Sequence, residues 1–317
     1  MDNSENKSRE WQLLENLVQG ATVEQRRARR WGVFFKLLTF GYLFGLGYML
    51  FNSDKNLPSS PDSEHTAVIN VMGVIAEGAE ASSDNIVAAL REAFENDHAK
   101  AVVLRINSPG GSAVHADYVF SEIDRLKTMY PKKVYAVITD IGASGAYYIA
   151  AAADEIYANP GSIVGSIGVR LGFGFGFEEL MKKVGVERRV VIAGEHKAIL
   201  DPFLPMREDE SAHMNNMLAG VHQQFISRVK QGRGARLATN EKIFSGLIWN
   251  GQDAKRLGLI DNFGSTGYVA REIVGYEDVI DYTVRPNPVE KLFERMGVTM
   301  AKTLAVSAGL DAGTAFR

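Results

Sequence analysis

Apolar runs and amphipathic stretches alternate through most of this chain, beginning near residue 65. Five runs of β-branched and other apolar residues predict buried strands, at 67–76, 101–106, 134–139, 155–158 and 186–193. Apolar residues at helical spacing predict helices that begin at residue 83 or 84 and near residues 112, 144, 209 and 254. Because strands that alternate with helices form right-handed βαβ units, we expect an α/β fold with a mostly parallel sheet.

A longer apolar segment precedes this pattern, at residues 31–51 (WGVFFKLLTFGYLFGLGYMLF). About 20 apolar residues are enough to span a bilayer as a helix. The segment therefore predicts a single transmembrane anchor in contact with lipid, with a buried core helix as the alternative. No small-residue cleavage site follows it, which argues against a cleaved signal peptide. Four arginines lie just upstream, so the positive-inside rule places the N-terminus in the cytoplasm and the rest of the chain outside.

Changes in composition along the chain predict the boundaries of the other segments. Residues 1–30 are polar and charged and predict a cytoplasmic tail, and residues 52–64 are a linker rich in Pro, Ser and Asp. Residues 65–285 carry the αβ pattern and predict the folded domain. Residues 286–317 have no strand pattern, so we expect them to form a C-terminal appendage.

Charge and cysteine content narrow the classes of function. The chain has 317 residues, no cysteine and a formal net charge of −3. The lack of cysteine excludes disulfides, thiolate metal sites and a cysteine nucleophile. The net charge gives no reason to expect nucleic acid as a partner. The sequence shows no metal-ligand cluster and no nucleotide motif, so we expect no cofactor and no metal.

Two glycine-rich turns follow the second and third predicted strands, at 107–112 (NSPGGS) and 140–146 (DIGASGA). The carboxyl ends of parallel strands are where α/β sheets bind ligands. At the start of the following helix, Ser144 could be a nucleophile. The alternative is that its side chain only caps that helix. The N–H of Gly110 or Gly111 and that of Gly145 could together hold an oxyanion.

A serine nucleophile needs a base, and none of the six histidines has a Ser–His–Asp context. The segment G-E-H-K-A at 194–198 follows a predicted strand and therefore lies at a strand end. A lysine can act as a base when burial and positive surroundings lower its pKa from about 10.4 towards neutrality. Lys197 is therefore the candidate base, with an ordinary exposed charge as the alternative. We expect the hydroxyl of Ser166, or second Ser162, to orient it, unless these are plain turn residues.

Five motifs in this order resemble the signal peptide peptidase A family of membrane serine peptidases, in its short, single-domain form. They are R-I-N-S-P-G-G at 105–111, D-I-G-A-S-G-A-Y-Y-I-A at 140–150, N-P-G-S-I-V-G-S-I-G-V at 159–169, G-E-H-K-A at 194–198 and F-S-G-L-I-W-N-G-Q-D-A-K-R-L-G-L-I-D at 244–261. The likeness covers roughly residues 65–285. It implies a Ser–Lys dyad, which falls on Ser144 and Lys197, and a crotonase/Clp-like fold of repeated ββα units.

The same resemblance implies a setting and a substrate class. Members of the family assemble into rings, so a ring-shaped homo-oligomer is expected. The implied location is the bacterial cytoplasmic (inner) membrane with a periplasmic catalytic domain, and the implied substrates are signal peptides left in that membrane. The Clp peptidases use a histidine soon after the serine, whereas here no histidine lies between Ser144 and His196, so that triad does not carry over.

Three other functions fit parts of the pattern. A related membrane peptidase could process one specific membrane protein. The crotonase fold also hosts acyl-CoA hydratases and isomerases, although a membrane anchor and a Ser/Lys pair argue against them. The third alternative is a non-catalytic membrane scaffold.

Overall fold

The computed structural model describes residues 26–27, 29–45, 47–48, 63–172 and 175–285. Pro61–Lys291 forms one of the two compact units of the chain, and it contains the sheet and the candidate site. Most of the predicted tail (1–30) and linker (52–64) and all of the predicted appendage (286–317) lie outside the described residues, as do positions 46, 49–51 and 173–174.

One sheet of eight strands forms the centre of this unit. Its strands are β1 (His65–Ile75), β2 (Ala99–Gly111), β3 (Lys133–Ala143), β4 (Glu155–Ala158), β5 (Ile163–Gly165), β6 (Ile248–Asn250), β7 (Asn262–Phe263) and β8 (Val279–Asp281). The main order is β6-β5-β3-β2-β1-β8, and β4 pairs with both β3 and β7. Every pairing is parallel except that of β5 with β6. The α/β fold with a mostly parallel sheet is therefore confirmed.

Seven α-helices accompany this sheet in the part of the unit that the structure describes. They are α1 (Ser83–Glu95), α2 (Ala113–Met129), α3 (Gly145–Ala150), α4 (Glu178–Val184), α5 (Glu208–Arg233), α6 (Gly251–Arg256) and α7 (Thr266–Tyr268). Short 3₁₀ turns follow α5, at Gly234–Arg236 and Glu241–Phe244, and a π-helical turn, Val269–Val274, continues α7. Ser82 and Ser112 cap α1 and α2 through their side chains, as serines at helix starts commonly do.

The core lies between the central strands and the first three helices. Leu104 and Ile106 on β2 and Phe120 and Ile123 on α2 have no exposed surface. Each such side chain contributes roughly 1.5–3 kcal/mol when it leaves water. The glycine-rich turns at the ends of β2 and β3 therefore follow strands of this buried core.

A buried ion pair fixes the C-terminal end of α5. The guanidinium of Arg233 is fully buried and donates to both carboxylate oxygens of Asp261, at 2.7 and 2.9 Å. Asp261 also accepts the N–H of Ile156 at 2.7 Å. Burial works to raise the pKa of Asp261, but the hydrogen bonds and charge of Arg233 outweigh it and keep that pKa below its usual value. Because α5 supplies one wall of the cavity described below, this pair helps to hold that wall in place.

The predicted strand at 186–193 is wrong. Residues 186–192 form neither strand nor helix, and their side chains are exposed, with Val191 fully so. The run carries three consecutive charges, Glu187, Arg188 and Arg189, and no strand pairs with it. β-branched residues form a strand only where an adjacent edge accepts their backbone hydrogen bonds, and this run has none within the described chain.

The N-terminal helix differs from a typical core helix. Residues 29–45 are helical, and their apolar side chains are exposed, including Phe34, Leu37 and Phe40. None of the helices among the described residues has both the length and the apolar character that crossing a membrane requires. Part of the predicted anchor, at 46 and 49–51, lies outside those residues.

Candidate active site

Ser144 occupies the turn between β3 and α3 in a conformation that L-residues rarely adopt. Its φ is 54° and its ψ is −126°. Such a backbone costs roughly 1–3 kcal/mol and persists only where the surroundings enforce it. Here the N–H of Ser144 donates to the carbonyl of Gly165 at 2.8 Å, and its own carbonyl accepts the N–H of Tyr148 at 3.0 Å. The turn is thus a strained strand-to-helix connection, a geometry that also occurs at the nucleophile of α/β-hydrolases.

The hydroxyl of Ser144 does not cap its helix. No hydrogen bond joins this side chain to the N-terminal N–H groups of α3. The side chain lines a cavity of about 930 Å³ instead. This geometry argues against the capping alternative, because a capping serine has an extended backbone and turns its oxygen back onto the helix.

Two backbone N–H groups lie beside Ser144, and they belong to Gly111 and Gly145. Gly111 pairs with Ile75 on β1, and the next residue, Ser112, donates to the Ile75 carbonyl at 2.8 Å. In a parallel ladder, the N–H of Gly111 must then point away from β1. A Cβ built on Gly145 would lie only 3.3 Å from the nitrogen of Gly111, so the two glycines are adjacent. The N–H of Gly145 has no hydrogen-bond partner among the described residues.

Gly110 has a different role from Gly111. Its N–H donates to the buried hydroxyl of Ser108 at 3.1 Å and is therefore not free for a ligand. Its φ is +95°, and a Cβ there would lie 2.7 Å from the nitrogen of Gly145 and 2.8 Å from the Cβ of Ser144. Gly110 thus lets the two glycine-rich turns approach each other, while Gly111 and Gly145 are the available donors.

One wall of the cavity is a polar and aromatic cluster around Tyr148, which lies one helical turn after Ser144. The Tyr148 hydroxyl donates to Asp117 at 2.7 Å, and Arg228 donates to the same carboxylate at 3.0 Å. The ring packs on Phe225 at a centroid distance of 4.9 Å. Burial, reinforced by Asp117, raises the pKa of Tyr148 to about 12, so its hydroxyl stays a donor at neutral pH. Sequence reasoning missed this cluster, although Tyr148 falls on the same helix face as Ser144 in the motif at 140–150.

Ser166 and Ser162 lie in different environments. Ser166 lines the same cavity as Ser144 and also has a positive φ, of 52°. Its N–H donates to the carbonyl of Leu247 at 2.8 Å. Its hydroxyl makes no hydrogen bond to any described residue. Ser162 is buried outside that lining. Its hydroxyl accepts the N–H of Asn159 at 3.0 Å and donates to the carbonyl of Thr139, which is a structural role.

Lys197 is not brought to Ser144 within one copy of the chain. It lies in a turn closed by a hydrogen bond from its N–H to the carbonyl of Gly194, at 3.1 Å. Its side chain is exposed and is absent from the lining of the cavity. Among the described residues that line the cavity there is no histidine.

The turn that carries Lys197 is fastened to the start of α5. Arg207 donates to Glu195 at 2.7 Å and to Asp209 at 2.8 Å. His196 lies 3.5 Å from the buried carboxylate of Glu210. Glu195, His196 and Asp209 could in principle bind a metal ion, since their donor atoms lie within 4.8 Å of one another. Because Arg207 already pairs with both acids of that group, we interpret the cluster as an exposed ion-pair network.

Comparison with known proteins places these residues in a family. The model of peptidase family S49 matches residues 127–278, a range that includes Ser144, Ser166 and Lys197. A Brucella abortus protein named Na(+)/H(+) antiporter NhaA is 45% identical over 186 residues, covering 59% of this chain and 25% of that protein. A Synechocystis protein provisionally named a protease is 35% identical over 199 residues, covering 63% of this chain and 69% of that protein.

A third relative carries a more specific name. An Enterococcus faecium protein provisionally named signal peptide peptidase SppA is 26% identical over 220 residues, covering 67% of this chain and 63% of that protein. The chain thus spans about a quarter of the Brucella relative and about two thirds of the other two. The matched family model and the match over most of the Synechocystis protein confirm the resemblance read from the five motifs, and the chain belongs to peptidase family S49.

Proposed function

We propose that this protein is a serine peptidase whose nucleophile is Ser144 and whose general base is Lys197. The observation that carries the proposal is the strained backbone of Ser144, which presents a free hydroxyl to a cavity beside the N–H groups of Gly111 and Gly145. Oxyanion stabilisation by two such donors is often the largest single contribution to acyl-transfer catalysis.

The proposed reaction assigns one step to each of these groups. Lys197 takes the proton of the Ser144 hydroxyl while its oxygen attacks the peptide carbonyl, and the oxyanion accepts hydrogen bonds from Gly111 and Gly145. Lys197 then gives the proton to the leaving amine, and water hydrolyses the acyl-enzyme. Ser166, which lines the same cavity, orients the lysine in this proposal. A crotonase/Clp-like arrangement of the fold is part of the same proposal.

We further propose that Lys197 reaches Ser144 from a neighbouring copy in a homo-oligomeric ring. Two observations support this: the exposed position of Lys197 outside the cavity lining, and its location in a segment rich in exposed apolar side chains. Exposed apolar surface on this scale commonly marks an interface. The ion pair between Glu195 and Arg207 would hold the turn that presents the lysine.

Single substitutions test the chemistry. Ser144→Ala and Lys197→Ala should each abolish peptide hydrolysis, and the double variant should be no worse, because the two groups act as a unit. His196→Ala, one residue from the lysine, is the matched control and should keep most activity. An active Lys197→Ala together with an inactive His196→Ala would contradict the assignment.

We also propose that the protein acts at the bacterial cytoplasmic membrane on signal peptides, with residues 31–51 as its membrane attachment. The exposed apolar side chains at 31–45 and the arginines before them support attachment, and the name of the Enterococcus relative suggests the substrate. Mass spectrometry of membrane fractions from cells with wild-type or Ser144→Ala protein provides the test. Uncleaved signal peptides should accumulate only with the variant, whereas accumulation of one membrane protein's precursor would indicate a dedicated processing enzyme.

A further inference from the structure

The cavity around Ser144 contains two charged side chains among the described residues that line it, Asp117 and Arg170. Asp117 is neutralised, because it accepts hydrogen bonds from Tyr148 at 2.7 Å and from the guanidinium of Arg228 at 3.0 Å. Arg170 makes no hydrogen bond, ion pair or ring contact with any described residue. The cavity therefore carries one positive charge that the described chain does not compensate.

Arg170 follows Ser166 by four residues, on a segment that lines the cavity. The segment 166–170 leaves β5 and contributes Ser166, Gly168, Val169 and Arg170 to one wall of the cavity. Its start is fixed beside the nucleophile, since the carbonyl of Gly165 accepts the N–H of Ser144 at 2.8 Å. Four residues of extended chain span at most about 14 Å. An extended peptide rises about 3.3 Å per residue, so Arg170 is within reach of substrate positions up to about four residues from the cleaved bond.

The geometry points to Arg170 as a specificity-determining residue that favours peptides with a carboxylate near the cleaved bond. A guanidinium presents a planar fork of donors that matches a carboxylate, and the carboxylate is the anionic group that peptides carry. The carboxylate can come from an acidic side chain or from a free C-terminus. This inference rests on the proposed peptidase activity and names a substrate class for the same site.

A peptide series tests the inference. An otherwise neutral peptide carries one Glu, Gln or Lys at successive positions around the cleaved bond, and each peptide is made with a free or an amidated C-terminus. At the position that faces Arg170, the wild type should cleave the Glu peptide about two- to fivefold faster in kcat/KM than the Gln peptide, the effect of an exposed ion pair. This preference should decrease with added salt because exposed charges are screened. A preference for the free acid over the amide would identify the C-terminal carboxylate as the source.

Two variants and a control complete the experiment. Arg170→Gln should cleave the Glu and Gln peptides equally, and Arg170→Glu should prefer the Lys peptide. Arg271→Gln, which changes an exposed arginine outside the cavity lining, should keep the wild-type preference. If the wild type has no carboxylate preference, or if Arg170→Gln retains it, the inference is wrong while the peptidase assignment stands. If even neutral peptides are not cleaved in a Ser144-dependent reaction, the proposed function fails and the inference fails with it.

Discussion

At the residue scale, the structure adds what a motif cannot specify, which is the backbone conformation of each residue. The motif at 140–146 placed a serine next to glycines at a strand end, and both capping and nucleophilic roles fitted that pattern. The positive φ of Ser144 distinguishes them, because a capping residue is extended. In the same way, the sequence offers the N–H of either Gly110 or Gly111 as one of the two oxyanion donors. The hydrogen bond from Gly110 to Ser108 shows that the N–H of Gly110 is engaged, which leaves that of Gly111 as the candidate.

The close contacts around the Cα of Gly110 lead to a prediction about activity. Gly110→Ala adds a Cβ within 3 Å of the backbone of Ala143 and Gly145 and of the side chain of Ser144. The turn must shift to relieve these contacts, and a shift near 1 Å in a catalytic group costs about 10²-fold in rate. We expect kcat to fall by about that factor in a peptide-hydrolysis assay.

Gly275→Ala is the matched control for this change. Gly275 has a similar φ of +85°, but no atom lies within 4 Å of its would-be Cβ. Both variants should lose stability to denaturant, on the order of 1–3 kcal/mol, because alanine is strained at positive φ. Only Gly110→Ala should lose activity. Equal activities in the two variants would show that the contact with Ser144 has no catalytic importance.

At the scale of elements, long buried segments could be predicted from the sequence and short exposed ones could not. β1 to β4 and the helices α1, α2 and α5 agree with the apolar pattern to within a few residues, because burial determines both the composition and the structure of such elements. β5 to β8 are two or three residues long, so they have too few positions to show a period. The run 186–193 has strand composition but no adjacent edge, and pairing is a property that no local window contains.

An ion-pair cluster that joins α1 to α2 predicts a pH effect on stability. Glu122 on α2 accepts from Arg125 and from Arg91 on α1, each at 2.7 Å. The hydrogen bond from Arg125, opposed by partial burial and reinforced by Arg91, lowers the pKa of Glu122 from 4.5 to about 2. A depressed carboxyl pKa contributes stability that is complete above pH 4.5 and is lost as the pH falls towards 2.

Glu122→Gln should therefore lower the free energy of unfolding near pH 7, by about 1–2 kcal/mol because both arginines are half exposed. The deficit relative to wild type should disappear as the pH falls from 5 towards 2. Glu95→Gln, an exposed carboxylate on α1, should have little effect at any pH. Urea unfolding of the three proteins at several pH values measures these differences. A Glu122→Gln deficit that is the same at low and neutral pH would show that shape, not charge, is responsible.

At the scale of the whole molecule, the separation of Ser144 from Lys197 is the feature that most needs an explanation. The segment 175–206 contains many exposed apolar side chains, among them Phe175, Val191 and Ile192. A monomeric protein rarely leaves so much apolar surface in water. In the proposed ring, a second copy covers this surface, and the lysine of one chain serves the serine of another. The sequence nominated both residues as candidates but could not indicate their separation, because the distance between two segments leaves no local pattern.

Mixing two inactive variants tests this arrangement. Ser144→Ala retains the lysine, and Lys197→Ala retains the serine. If each site takes its serine from one copy and its lysine from the next, random assembly of equal amounts restores about a quarter of the wild-type sites, since each partner is intact half of the time. The two variants are co-expressed with different affinity tags, and assemblies that carry both tags are purified and assayed. The control pairs Ser144→Ala with the double variant Ser144→Ala/Lys197→Ala and should stay inactive, because no copy retains the serine. Mixed assemblies without activity would show that Lys197 serves the serine of its own chain, through a rearrangement of the segment 175–206.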